Sequence, residues 1–93
     1  MKRLRNIHPG EVLLQEFLMP MNLAASALAR EIGVEPRRIA EITRGKRRIS
    51  ANTAVRLAGR FGNSAHFWLM LQANFDLEAA RNTIARAKEP GKY

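Results

Sequence analysis

Residues 24–48 read AASALAREIGVEPRRIAEITRGKRR: two short helical patterns separated by a glycine turn and followed by a run of cations. Leu28, Ala29 and Ile32 fall on one face of the first pattern, about Ala24 to Ile32, and Gly33 supplies the left-handed residue that commonly closes a helix. Val34 and Glu35 lead to Pro36, whose fixed φ and missing N–H suit the first turn of a second helix, Pro36 to about Thr43. Two short helices around a glycine-containing turn make a helix-turn-helix layout over about residues 24–44. In that layout the second helix enters the major groove of DNA.

The second helix suits this task chemically. Only Ile39, Ala40 and Ile42 are apolar, so a narrow stripe docks it and the rest faces outward. Arg37 and Arg38 sit in its first turn, at the positive end of the helix dipole, and an arginine fork pairs bidentately with guanine O6 and N7. Arg44, Lys46 and Arg47 follow at once, placed to hold phosphates beside the groove. Arg48, Glu41 and, in the N-terminal arm, Arg3 and Arg5 are further candidates. A basic helical face also fits a purely solvated surface, so layout and charge leave both readings open.

The charge over the whole chain has the same focus. The 93 residues hold 16 Lys and Arg against eight Asp and Glu, a net charge of +8, and six of the sixteen cations lie between Arg37 and Arg48. By contrast, the stretch from Phe61 to Phe75 has no formally charged residue but four of the six aromatics. The first region points to a polyanion, the second to a core or a protein interface. Phe67, Trp68, Leu71 and Phe75 are the candidates for a dimer or partner contact, with burial in the protomer core the alternative for Trp68.

The remaining punctuation is helical throughout, with no period-2 alternation of the kind a half-buried strand needs. A first helix opens at Pro9, carries Val12, Leu13, Leu14, Phe17 and Leu18, and ends at Pro20. A fourth, about Ala51 to Phe61, is capped by Ser50 and closed by Gly62. Ser64 caps a fifth, which continues or restarts at Asp76 and reaches about Ala87. The expectation is an all-α fold of five or six helices: a basic arm over residues 1–6, one domain over 7–87, and a frayed tail over 88–93.

Several chemistries are set aside. Cysteine is absent, which removes disulfides, cysteine-ligated metals and thiol nucleophiles. His8 and Glu11 lack a third ligand, and His8 before Pro9 reads as an N-cap; His66 has no acidic neighbour in sequence. With no phosphate loop, nucleophile elbow or dinucleotide fingerprint, neither enzyme activity nor a cofactor is expected. No apolar run approaches the roughly 20 residues of a membrane span, and no apolar stretch of signal-peptide length follows Met1-Lys2-Arg3-Leu4-Arg5, so the expected compartment is the cytoplasm.

Beyond this generic layout, a more specific pattern runs from Ile7 to Leu77. Ile7-His8-Pro9-Gly10-Glu11, Phe17-Leu18-Met19-Pro20, Leu28-Ala29 and Ile32-Gly33-Val34 are followed by Arg38-Ile39, Ile42 and Gly45-Lys46-Arg47. Ile49-Ser50, Thr53-Ala54, Arg56-Leu57-Ala58, Phe61-Gly62, Phe67-Trp68-Leu69, Leu71-Gln72 and Asp76-Leu77 complete it. The pattern resembles the HigA antitoxins, also described as VapI-type virulence-associated proteins. The resemblance implies a Cro/repressor-like domain acting as a homodimer on a palindromic operator in double-stranded DNA, and an antitoxin that neutralises a RelE-like mRNA endonuclease toxin. A stand-alone repressor and a toxin-binding module with little DNA binding are the alternatives.

The chain departs from the family pattern at Ala24 and Ala25, where relatives carry Ser or Thr and then Gln, and at Asn52, where Asp is common. The lost cap costs about 1 kcal/mol, and Asn22 is expected to replace it from one turn earlier.

Overall fold

The computed structural model describes residues 5–87. Five helices follow one another, and no strand occurs among these residues. Helix α1 (Pro9–Val12) passes without a break into a π-helical segment, Leu13–Leu18; α2 is Ala25–Ile32, α3 Pro36–Thr43, α4 Ala51–Phe61 and α5 Ala65–Ala87. The helix-turn-helix is α2 and α3; α2 opens at Ala25, one residue after the expected Ala24, and α3 runs from Pro36 to Thr43. The fifth helix runs through Asp76 without restarting, so the count is five.

The first helix differs from expectation at its end. Met19 N–H donates to Leu14 O five residues back, at 2.9 Å. In an ordinary α-helix the ring of Pro20 would press on the carbonyl four residues before it, and the wider π turn relieves that clash. The turn then closes beyond Pro20. Asn22 adopts a left-handed conformation (φ 52°), Asn22 N–H donates to Met19 O, and Leu23 N–H donates to Leu18 O. This is the hydrogen-bond pair of a helix C-terminus. Asn22 therefore ends the first helix rather than capping the second, and Ala24 opens α2 with no side-chain cap.

The other boundaries follow the local chemistry. Ser50 Oγ accepts from Thr53 N–H at 3.2 Å, and Ser64 Oγ accepts from Phe67 N–H at 3.0 Å. Gly45, with φ 73°, turns the chain out of α3 and lets Lys46 N–H reach Glu41 O at 2.8 Å. That turn releases the basic segment from the end of the recognition helix.

Leu13, Leu18, Leu28, Ala29, Ile32, Ile39, Ile42, Ile49, Ala54, Leu57 and Trp68 form one buried core. α2 packs chiefly on α3, α4 on α5, and α1 on both α3 and α5. The α1–α3 contact is made backbone to backbone. A Cβ added to Gly10 would stand 1.6 Å from the Ile42 carbonyl oxygen, so only glycine lets the two helices approach this closely.

His8 secures the same junction. Its Nδ1 accepts from Gly10 N–H at 2.9 Å, capping α1, and its ring meets Phe75 of α5 edge-on with centroids 4.8 Å apart. Accepting that hydrogen bond requires a neutral Nδ1. Burial pushes the imidazole below its ordinary value of 6.5, while the Asp76 carboxylate pulls weakly the other way. The folded chain thus takes up this proton less readily than the unfolded chain. The contribution of neutral His8 is complete above about pH 6.5 and is lost as pH falls below that toward the folded-state value. Urea unfolding across this range will show stability declining with acid, and His8→Asn, which keeps a capping side chain but does not titrate, will remove that part of the slope.

Candidate nucleic-acid interface

The candidate residues come together around α3 and the turn that follows it. Arg37 is exposed at the start of the helix, and Glu41 lies one turn on. Glu41 Oε2 accepts from Arg37 Nε at 3.2 Å, and Glu41 Oε1 accepts from Arg47 Nε at 2.9 Å. One carboxylate therefore joins the recognition helix to the basic turn. The Arg47 hydrogen bond, with Arg37 behind it, holds the Glu41 carboxyl below the usual carboxylate range. Both arginines meet Glu41 through Nε, and the pair does not engage their terminal amino groups, the forked donors that match guanine or phosphate.

Arg38 is half-buried on the other flank of α3. With Arg47, Arg48, Ser50, Asn52 and Thr53 it lines an open cleft of about 480 Å³. Three arginines thus line a cleft beside the N-terminal turn of α4, where backbone N–H groups and the helix dipole also favour an anion. Sequence reasoning identified the arginines but not the α4 residues of this cleft. The signal was present in Ser50, since a cap residue marks a helix N-terminus.

Arg44 closes α3 with bridge-region backbone (φ −93°, ψ 4°), and Arg44 and Lys46 are both exposed, with no ion pair among the described residues. Arg48 forms an ion pair with Asp76 of α5 at 2.9 Å. Arg5 is committed elsewhere: both of its terminal nitrogens bond the Glu11 carboxylate at the start of α1. Arg3, the rest of the arm over residues 1–4 and the tail over 88–93 lie outside the described residues.

The aromatic group predicted to meet a partner faces mostly inward. Trp68 is wholly buried, which corrects its assignment to an interface: its indole lies against Phe17, Phe61 and Phe67, and its Nε1–H donates to Asn63 Oδ1 at 3.0 Å. Leu71 packs on the core, and Phe75 is part-buried against His8. Phe67 keeps partial exposure at 38%. The cause is helical phase, because Trp68, Leu71 and Phe75 recur at intervals of three to four residues on the core side of α5.

The opposite side of α5 carries the exposed apolar residues that sequence reasoning missed. Met70, Leu77 and Ile84 are 61%, 51% and 55% exposed, at seven-residue spacing, and Ala73 and Ala80, also exposed, fall between them. That spacing was the available signal.

A helix-turn-helix family model matches residues 14–68, more than half the chain. Virulence-associated protein I of Dichelobacter nodosus is 51% identical over 74 residues, covering 80% of this chain and 68% of that protein. Antitoxin HigA-1 of Vibrio cholerae is 36% identical over 89 residues, covering 96% and 81%. Among solved structures, the Pseudomonas aeruginosa antitoxin HigA with the higBA promoter superposes with a TM-score of 0.82 at 41% identity, covering 94% of this chain and 99% of that one. A paired helix-turn-helix with a basic turn, its arginines gathered on one face, together with identity of this extent along most of the chain, places the protein in the HigA and virulence-associated protein I family of helix-turn-helix proteins.

Proposed function

We propose that the chain is the antitoxin of a toxin–antitoxin pair in the bacterial cytoplasm, and that it represses its own operon by binding a palindromic operator as a homodimer. The observation that carries the DNA reading is the cleft lined by Arg38, Arg47 and Arg48 beside the N-terminus of α4, with Arg37 exposed next to Arg38 in the first turn of α3. Base contact falls to Arg37 and Arg38, and phosphate contact to Arg44, Lys46, Arg47 and Arg48. Glu41 ties Arg37 to Arg47, and Arg5, tied to Glu11, is not needed. The relative whose structure was solved with the higBA promoter supports the DNA reading.

One short recognition helix reads few base pairs, and a two-fold pair matches half-sites about 34 Å apart. The Met70, Leu77 and Ile84 stripe of α5 supplies a self-complementary seam for that pair, with Ala73 and Ala80 permitting close approach. It replaces the Trp68 group as the dimer contact. A toxin partner is supported by the relative named as an antitoxin, and we take that toxin to be a RelE-like mRNA endonuclease.

Three measurements test these parts. Arg38→Ala combined with Arg47→Ala will lower affinity for a duplex from the region upstream of the gene by at least about a hundredfold, from about 1–3 kcal/mol per charged contact, and will flatten a salt slope of about −7, expected for a dimer holding about eight phosphates. The charge-matched pair Arg81→Ala with Arg86→Ala will leave both nearly unchanged. Leu77→Glu with Ile84→Glu will give a monomeric mass by light scattering while the helical circular dichroism persists; a dimeric mass would place the seam elsewhere. Co-expression with the product of an adjoining reading frame will yield a co-purifying complex and relieve growth arrest. If both fail, the chain is a stand-alone repressor.

A further inference from the structure

Gln72 is 2% exposed, and both ends of its amide are engaged. Its Oε1 accepts from Ile49 N–H at 2.7 Å, and its Nε2 donates to Asp76 Oδ1 at 3.0 Å. The other carboxylate oxygen of Asp76 lies 2.9 Å from Arg48 Nη2. The amide orientation is determined by these neighbours, since an N–H needs an acceptor and a carboxylate needs a donor. A relay therefore runs from the backbone of Ile49, through α5, to the guanidinium of Arg48. Arg48 and Ile49 are the last residues of the basic turn before Ser50 caps α4, so the relay grips the turn where it enters the cleft.

Packing alone does not account for this arrangement. An apolar side chain would fill the site of Gln72 but leave the buried Ile49 N–H without its acceptor, so Gln72 also has a structural reason, whereas Asp76, on the part-exposed rim, has no role in the apolar core. A carboxylate beside a phosphate-binding cation lowers affinity for every duplex by its charge. Any gain it brings must come through geometry: a guanidinium held in one orientation before DNA arrives loses less freedom when it binds.

We infer that Gln72 and Asp76 are positioning residues for DNA recognition, fixing the exit of the basic turn and the direction of Arg48 from the helix that also carries the apolar seam. This rests on the cleft being the DNA surface.

The experiment compares binding of the full-length protein to a duplex from the region upstream of its own gene and to a scrambled duplex of equal composition, at fixed salt. Asp76→Asn keeps an oxygen for Gln72 but releases Arg48. It will lower affinity for the upstream duplex about five- to tenfold, the size of one coupled contact, while affinity for the scrambled duplex holds or rises. In an Arg48→Ala background the same substitution will have no further effect on the upstream duplex. Gln72→Met, checked for folding by its thermal transition, will lower the same ratio. If Arg38→Ala with Arg47→Ala leaves binding intact, the reading of the cleft is wrong. If that pair abolishes binding but Asp76→Asn changes neither duplex, weakens both equally, or acts equally with and without Arg48, the positioning role is overturned.

Discussion

Enclosure of the Trp68 indole by Phe17, Phe61 and Phe67 fixes the direction in which α5 faces, with ring centroids 5.2, 6.3 and 5.0 Å from that of Trp68. Truncating a buried tryptophan costs about 3–5 kcal/mol, far more than any exposed ion pair here can contribute, so this contact outranks the rest in setting helix rotation. Once Trp68 points inward, the pitch of an α-helix carries Gln72 and Phe75 inward with it. Gln72 then meets Ile49, and Phe75 meets His8 at the cap of α1. The same rotation turns Met70, Leu77 and Ile84 to solvent.

Most of the fold was legible because helix ends are written in residues with one strong local reason to be there. Pro36, Gly33, Ser50, Gly62 and Ser64 each act within one turn, and the structure uses each as the sequence predicts. What escaped depends on competition or on rotation. Asn22 suits an N-cap and a left-handed C-terminus equally well, and the hydrogen bonds to Leu18 and Met19 decided for the second. The π turn before Pro20 answers a clash that periodicity does not register. The phase of α5 escaped because its aromatic and aliphatic residues nearly encircle it, and only the location of the core separates the buried set from the exposed one.

Site residues divide along the same line. The arginines were visible as composition, but their partners were not, because each partner lies on a different element or one turn away. Glu41 sits between Arg37 and Arg47, Asp76 reaches Arg48 from α5, and Glu11 takes Arg5 out of the basic surface. A net charge of +8 describes steering toward a polyanion, which acts at the range of the screening length. Discrimination between duplexes works at hydrogen-bond range and depends on where each guanidinium fork is held. The carboxylates subtract from the first quantity and, in the positioning role inferred for Asp76, sharpen the second.

The two faces of α5 therefore serve one geometric end. The inner face holds the basic turn through Gln72 and Asp76, and helix α1 locks α3 to the same body where Gly10 meets Ile42. The outer face carries the Met70, Leu77 and Ile84 stripe proposed as the seam for a second copy. Since one rigid helix of 23 residues joins these contacts, the separation of two recognition helices in such a pair is set by the crossing of the two α5 helices and not by any flexible linker. In the proposed dimer, operator half-site spacing is then a property of packed side chains, and a substitution at the seam shifts both recognition surfaces at once.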